Sequence, residues 1–313
     1  MRKINTTVHD NFIRAILADK NVAVSYFQNF LPREVVEQLD FSTLTQIPDT
    51  YLSENLQKSM SDVVYSCNLK SDERNIRIAL LIEHKSYPDK FTPIQMGSYI
   101  FSGYEKQLKS NEELSVIVPL LLYHGKGKWE YKQLSGLFPH SISDWKQYIP
   151  DFDYIYNNLG EISDEDVESL QNKFLTASLL ALKHSFQKNW LEENAVRILI
   201  LSENVSENLQ RNLAVYLFAK SNLHENEILE IIESLPLKLK HTVMSTLDIF
   251  EAKGVKRGIA QGIEEGIEKG IEIGKTDVIR NLILNTDFSA SKIAMLTGIS
   301  EEQVSKIKAE IAK

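Results

Sequence analysis

The chain has 313 residues, with 35 Lys and Arg against 43 Asp and Glu and a formal net charge of −8. That length allows one large domain or two smaller ones, and the acidic balance excludes a surface coated in basic residues while leaving room for a local basic groove. Cys67 is the only cysteine, which excludes an internal disulfide and argues against a cysteine-based zinc site. With no long apolar run and no apolar core in Met1–Thr7, the expectation is a cytoplasmic protein with no membrane association.

In chain order, His9-Asp10-Asn11 precedes Phe12, Ile13, Ile16 and Leu17, whose spacing predicts a helix with Asp10 as its N-cap. A second helical stretch holds Val22, Val24, Phe27 and Phe30 and stops at Leu31-Pro32. Phe41–Ile47 reads as a short strand. Two β-type runs follow, Ser61-Asp62-Val63-Val64-Tyr65 and Ile76–Lys85, joined as a hairpin through the polar stretch Asn68–Asn75. Thr92-Pro93 opens a helix carrying Ile94, Tyr99, Ile100 and Tyr104, since proline suits the first helical position. Leu114–Tyr123 is continuously apolar, as a buried central strand is, although Pro119 points to a bulge or an edge. His124-Gly125-Lys126-Gly127 reads as the turn that ends it. Helices, three strands, a helix and a further strand together predict a mixed α/β sheet with helices packed on it.

Residues 161–250 read as a helical extension of the sheet domain at 1–160. Glycine then recurs every fourth residue from Gly254 to Gly274 beside Val255, Ile259, Ile263, Ile267 and Ile271. Each glycine weakens a helix by about 1 kcal/mol against alanine, so 251–275 is either a helical connector, the slightly favoured reading, or a close-packing helix that makes a homo-oligomer. Residues 276–313 give helix, glycine turn at Gly298 and helix, a small helix-turn-helix-like module with Lys306 and Lys308 as possible phosphate contacts. A plain helical interaction module explains that pattern equally well.

One constellation carries chemistry. Side chains alternate along a strand, so Glu83 and Lys85 share a face and His84 takes the opposite one, packed or hydrogen-bonded there. Asp62, on the other arm of the hairpin, can approach that pair. Two carboxylates and one ammonium about a common point are the minimum for magnesium-assisted phosphodiester cleavage. The pattern acidic-x-Lys also occurs at Glu130, Asp144 and Glu251, but only Glu83 ends a long apolar run beside a second acidic residue. By spacing alone an incidental ion pair at a solvated strand end is the commoner outcome.

His9-Asp10 with Phe12, Asp49 onward to Ser61-Asp62-Val63-Val64-Tyr65, Leu81-Ile82-Glu83-His84-Lys85-Ser86, Tyr99 and Val118–Gly125 to Trp129 together resemble the Rpn/YhgA-like family of recombination-promoting nucleases, also described as putative transposases. The resemblance covers roughly residues 8 to 160. That family is similar to the PD-(D/E)XK nuclease superfamily, and the resemblance implies a restriction-endonuclease-like αβββαβ core. It implies a Mg2+-dependent DNA endonuclease that promotes recombination or transposition-like events, with DNA as partner. Carried over residue by residue, Asp62 and Glu83 match the two acidic positions and Lys85 the terminal lysine. Gln95 is a candidate accessory catalytic group. The implied metal ligands are Asp62, Glu83 and the backbone carbonyl of His84; Asp10 is a candidate further carboxylate. Ser61 stands where the superfamily's name has proline, and many family members carry glutamine at the place of Lys85. The rival reading is a catalytically inactive nuclease-like protein that binds DNA or builds an oligomeric assembly.

Overall fold

The computed structural model describes residues 6–47, 63–70, 77–247, 276 and 279–311. Asp62 and the glycine repeat from Gly254 to Gly274 lie outside the described residues. The chain divides into two compact units, Met1–Thr246 and Leu247–Lys313.

The first unit is built on a five-stranded sheet in sequential order, β1 (Leu39–Ile47), β2 (Val63–Leu69), β3 (Arg77–Lys85), β4 (Val116–Tyr123) and β5 (Ile155–Asn158). The first two pairings, β1 with β2 and β2 with β3, are antiparallel, and the last two, β3 with β4 and β4 with β5, are parallel. The β2–β3 hairpin is the one expected, in a register that sets Val63 against Ile82 and Asn68 against Arg77. Pro119 sits inside the central strand β4, one residue before its pairing with β5 begins at Leu120. At that point β4 has a neighbour only on its β3 side, so a residue lacking an N–H is tolerated there.

Helices cover both faces. On one face lies α4 (Thr92–Lys109), whose Met96, Tyr99 and Ile100 are buried with Val64, Ala79, Ile117, Leu121 and Tyr154. On the other lie α1 (Thr6–Leu17) and α2 (Lys20–Phe30): Tyr65 donates to the Leu17 carbonyl, and its ring meets Phe27 edge-on at 5.5 Å. Asp19 caps α2 by accepting from the N–H groups of Asn21 and Val22. The expected cap on the first helix is corrected. That helix already begins at Thr6, so Asp10 stands in its second turn and its side chain is released to reach the sheet.

Short helices α3 (Arg33–Gln38) and α5 (Asp164–Glu168) are followed by the longer α6 (Lys173–Lys183), α7 (Lys188–Ile200) and α8 (Glu207–Lys220), then α9 (Glu225–Glu233). These later helices do not stand apart from the sheet. Tyr216 of α8 stacks on Phe12 of α1 at 4.0 Å and bonds His9 Nδ1 at 2.7 Å.

The second unit has a small core of Ile279, Ile293 and Val304. Ser289 caps α10 (Ala290–Thr297), Gly298 ends it in the left-handed region at φ +71°, and α11 (Glu301–Ile311) follows. A residue with a Cβ resists that φ, which explains the glycine. Among the described residues no helix is long and apolar enough to cross a membrane.

Candidate active site

β3 delivers Glu83, His84 and Lys85 at its C-terminal end, beside Leu121, Leu122 and Tyr123 of β4. Strand alternation turns Glu83 and Lys85 toward α4 and His84 toward α1. Glu83 is only 3% exposed, so its polar atoms depend on the partners that the fold supplies. Its Oε1 accepts from Gln95 Nε2 at 2.9 Å and faces Lys85 Nζ at 3.3 Å. Gln95 lies in the first turn of α4, set there by Thr92-Pro93, and its Nε2 also bonds the Tyr99 hydroxyl one turn on.

Glu83 Oε2 is buried and has no hydrogen-bond partner among the described residues. An orphaned buried carboxylate oxygen costs about 1–3 kcal/mol or more, so it calls for a partner beyond the described residues, a water or an ion. A hard divalent cation fits that oxygen, since magnesium takes oxygen ligands, keeps several waters and needs one or two carboxylates. Among the described residues no three His, Cys, Asp or Glu side chains converge on a metal position.

Lys85 Nζ also faces Asp89 Oδ2 at 3.5 Å. Burial by itself would lower the pKa of this ammonium, but the carboxylates of Glu83 and Asp89 outweigh it and hold the pKa above the ordinary lysine value. Lys85 is therefore a donor in this arrangement, able to orient an anion or a water.

On the opposite face His84 joins a buried histidine network. Its Nδ1 faces Asp10 Oδ1 at 3.2 Å, and its Nε2 meets His124 Nε2 at 2.6 Å with the rings stacked. His124 Nδ1 lies 3.1 Å from the Leu182 carbonyl, which can only accept. His124 thus donates from Nδ1 and accepts at Nε2 from His84. Burial, reinforced by the neighbouring His84 and His9, drives the His124 pKa well below the usual histidine value. The network ties α1, β3, β4 and α6 together directly behind Glu83.

Past β4, Gly125 seals the same corner. A Cβ there would collide with the Ser86 carbonyl and the Tyr123 ring, all nearer than 3.0 Å, so the turn approaches the end of β3 as only glycine can. The β3–β4 ladder is extended by His124 N–H donating to the Lys85 carbonyl at 3.2 Å.

Of the residues singled out from the sequence, Glu83, Lys85 and Gln95 come together. The His84 side chain goes to the other face as expected, and Asp62 lies outside the described residues. Sequence reasoning missed Asp89, His124 and the bond from Asp10 to His84. Asp89 carries only the weak signal of an i,i+4 spacing from Lys85, and His124 stands before Gly125 and Gly127, whose pattern signals a turn.

The family model described as "Putative transposase, YhgA-like" matches residues 7–212. Recombination-promoting nuclease RpnA of Escherichia coli (strain K12) is 22% identical over 313 residues, 97% of this chain and 98% of that protein. Recombination-promoting nuclease RpnC of the same organism is 28% identical over 123 residues, so the match spans 39% of this chain and 40% of RpnC. Inactive recombination-promoting nuclease-like protein RpnE is 23% identical over 146 residues, 46% of this chain and 44% of RpnE. No solved structure matches.

Proposed function

The chain belongs to the family described as "Putative transposase, YhgA-like", and from that premise we propose that it is a metal-dependent DNA endonuclease with a restriction-endonuclease-like core. The single observation that carries the reading is buried Glu83, whose Oε1 is held by Gln95 and Lys85 while its Oε2 has no hydrogen-bond partner among the described residues. The element order α, three strands, α4, β4 agrees with an αβββαβ unit, and relatives named recombination-promoting nucleases support the activity.

Asp62 is assigned as the second carboxylate. In the sequence it directly precedes Val63, which pairs with Ile82, the residue before Glu83. Glu83, Asp62 and the His84 carbonyl would hold Mg2+, which when bound supplies Lewis-acid polarisation of a phosphate oxygen and a more acidic water. Gln95 fixes the Glu83 carboxylate in one rotamer, and Tyr99 fixes Gln95. Lys85 donates to the attacking water or a non-bridging phosphate oxygen, placing a fixed positive charge where negative charge develops. The product is cleaved DNA, the step from which recombination proceeds.

A plasmid-nicking assay with and without magnesium tests this directly. Wild type converts supercoiled plasmid only with the metal, and Asp62→Ala abolishes conversion while leaving the circular dichroism spectrum unchanged. Cleavage by purified Asp62→Ala at the wild-type rate would refute the assignment. The alternative, an inactive DNA-binding or assembly protein, takes its support from RpnE, whose name records inactivity, and it predicts no nicking by wild type.

A further inference from the structure

Beside the Glu83–Lys85 pair lies a cleft of about 440 Å³, lined by Asp89, Trp129 and Tyr154 together with Lys90, Lys128 and Lys132. It adjoins the candidate active site at Asp89, which lines the cleft and also faces Lys85 Nζ at 3.5 Å. Two features of its construction bear on what it takes. Two aromatic side chains line it and both are held in place: Trp129 lies edge-on against Tyr123 at 5.0 Å, and the Tyr154 hydroxyl is anchored on the Lys132 carbonyl at 3.0 Å. The turn after β4 closes in on Pro88 so tightly that a Cβ on Gly127 would stand 2.9 Å from the proline ring. The rim is different: Lys90, Lys128 and Lys132 are exposed, and among the described residues none of them is in an ion pair. Asp89 is already engaged by Lys85, so Glu130 is the one carboxylate left against three ammonium groups. In a chain of net charge −8 this is a local reversal of sign.

Aromatic lining residues with exposed lysines beside them suit a base stacked inside and phosphates held outside. The volume is that of a small-molecule pocket, which admits one nucleotide and not a duplex. We propose that this cleft is the subsite for a single unstacked nucleotide of the nucleic-acid strand, adjoining the phosphodiester presented to Glu83 and Lys85. This rests on the nuclease reading. It adds that the strand runs from the pair, past Asp89, toward Lys128 and Lys132, and that the duplex is opened or frayed at the point of cutting.

The test uses the full chain without divalent ions, so that binding is measured apart from cleavage. Fluorescence anisotropy with a labelled single-stranded oligonucleotide and the corresponding blunt duplex is recorded over a salt series for wild type, Lys128→Gln/Lys132→Gln and Lys128→Arg/Lys132→Arg. Each phosphate contact on a single strand contributes about 0.7 to the slope of log K against log salt, so the Gln pair lowers that slope by about 1.4. The Arg pair restores it, and wild type binds the single strand more tightly than the blunt duplex. An unchanged slope in the Gln pair, equal affinity for both DNAs, or no binding by wild type overturns the proposal. Parallel nicking assays separate the two readings. Magnesium-dependent nicking with unchanged binding by the Gln pair sinks the subsite alone, whereas the predicted binding loss in a protein that never nicks sinks the nuclease reading alone.

Discussion

Replacing Glu83 with glutamine separates the structural role of this side chain from a metal-binding one. In the metal-free protein the amide oxygen takes the place of Oε1, keeping the Gln95 donor at about its present 2.9 Å. The amide nitrogen then falls where Oε2 now has no partner. An orphaned acceptor is exchanged for an orphaned donor, each costing about 1–3 kcal/mol, so these contributions nearly cancel. The 3.3 Å contact with Lys85 is weakened, and the Lys85 ammonium, 11% exposed, keeps only Asp89 at 3.5 Å as a carboxylate partner among the described residues. Metal-free stability should therefore fall by up to about 3–5 kcal/mol, the cost of removing one partner of a buried pair. Magnesium at 100 times its Kd adds about 2.7 kcal/mol to a protein that binds it only when folded. For a unit of this size 1 kcal/mol moves Tm by ~2–4 °C, so the wild-type shift is roughly 5–11 °C. Differential scanning fluorimetry with a magnesium series against EDTA reads both quantities. The shift should be present in wild type and absent in Glu83→Gln. An equal magnesium shift in the two proteins, or none in wild type, would refute Glu83 as a ligand.

Gln95→Ala removes the donor that fixes Glu83 and should slow nicking by roughly 10–100-fold, the usual effect of losing a group that orients a metal ligand. Thermal stability measured without metal should fall by only about 1 kcal/mol. His9 is buried, and burial, with Lys220 and His84 nearby, lowers its pKa to about 3. Between the unfolded value of 6.5 and about 3 the unfolded chain binds the extra proton, so stability is full above pH 6.5 and falls as pH drops through that window. This single group contributes up to ~1.36 kcal/mol per pH unit; urea midpoints at pH 7, 5.5 and 4.5 should show a shallower dependence in His9→Gln. Gly125→Ala forces a methyl against the Ser86 carbonyl, a backbone atom that cannot swing aside, and should cost about 1–3 kcal/mol in urea unfolding. An unaltered midpoint would mean that the turn yields freely.

Much of this geometry was legible in the sequence because it depends on neighbours in the chain. Strand alternation alone puts Glu83 and Lys85 on one face and His84 on the other, and Thr92-Pro93 alone starts the helix that carries Gln95. The hairpin of β2 and β3 was equally visible, from two apolar runs about a polar turn. β5 was not, since its four residues Ile155–Asn158 are half asparagine and only half-buried, and carry no alternation of their own. The contacts behind the site were hidden for another reason. Asp10 is 74 residues from His84, and His124 is 40; no local period links such positions, and a local rule made Asp10 a cap. Only the packing of α1 onto the sheet, and of α6 onto β4, decides that an aspartate and two histidines meet. It also decides that, among the described residues, one oxygen of Glu83 finds no partner, because a partner is a property of the whole surroundings and not of any stretch of chain.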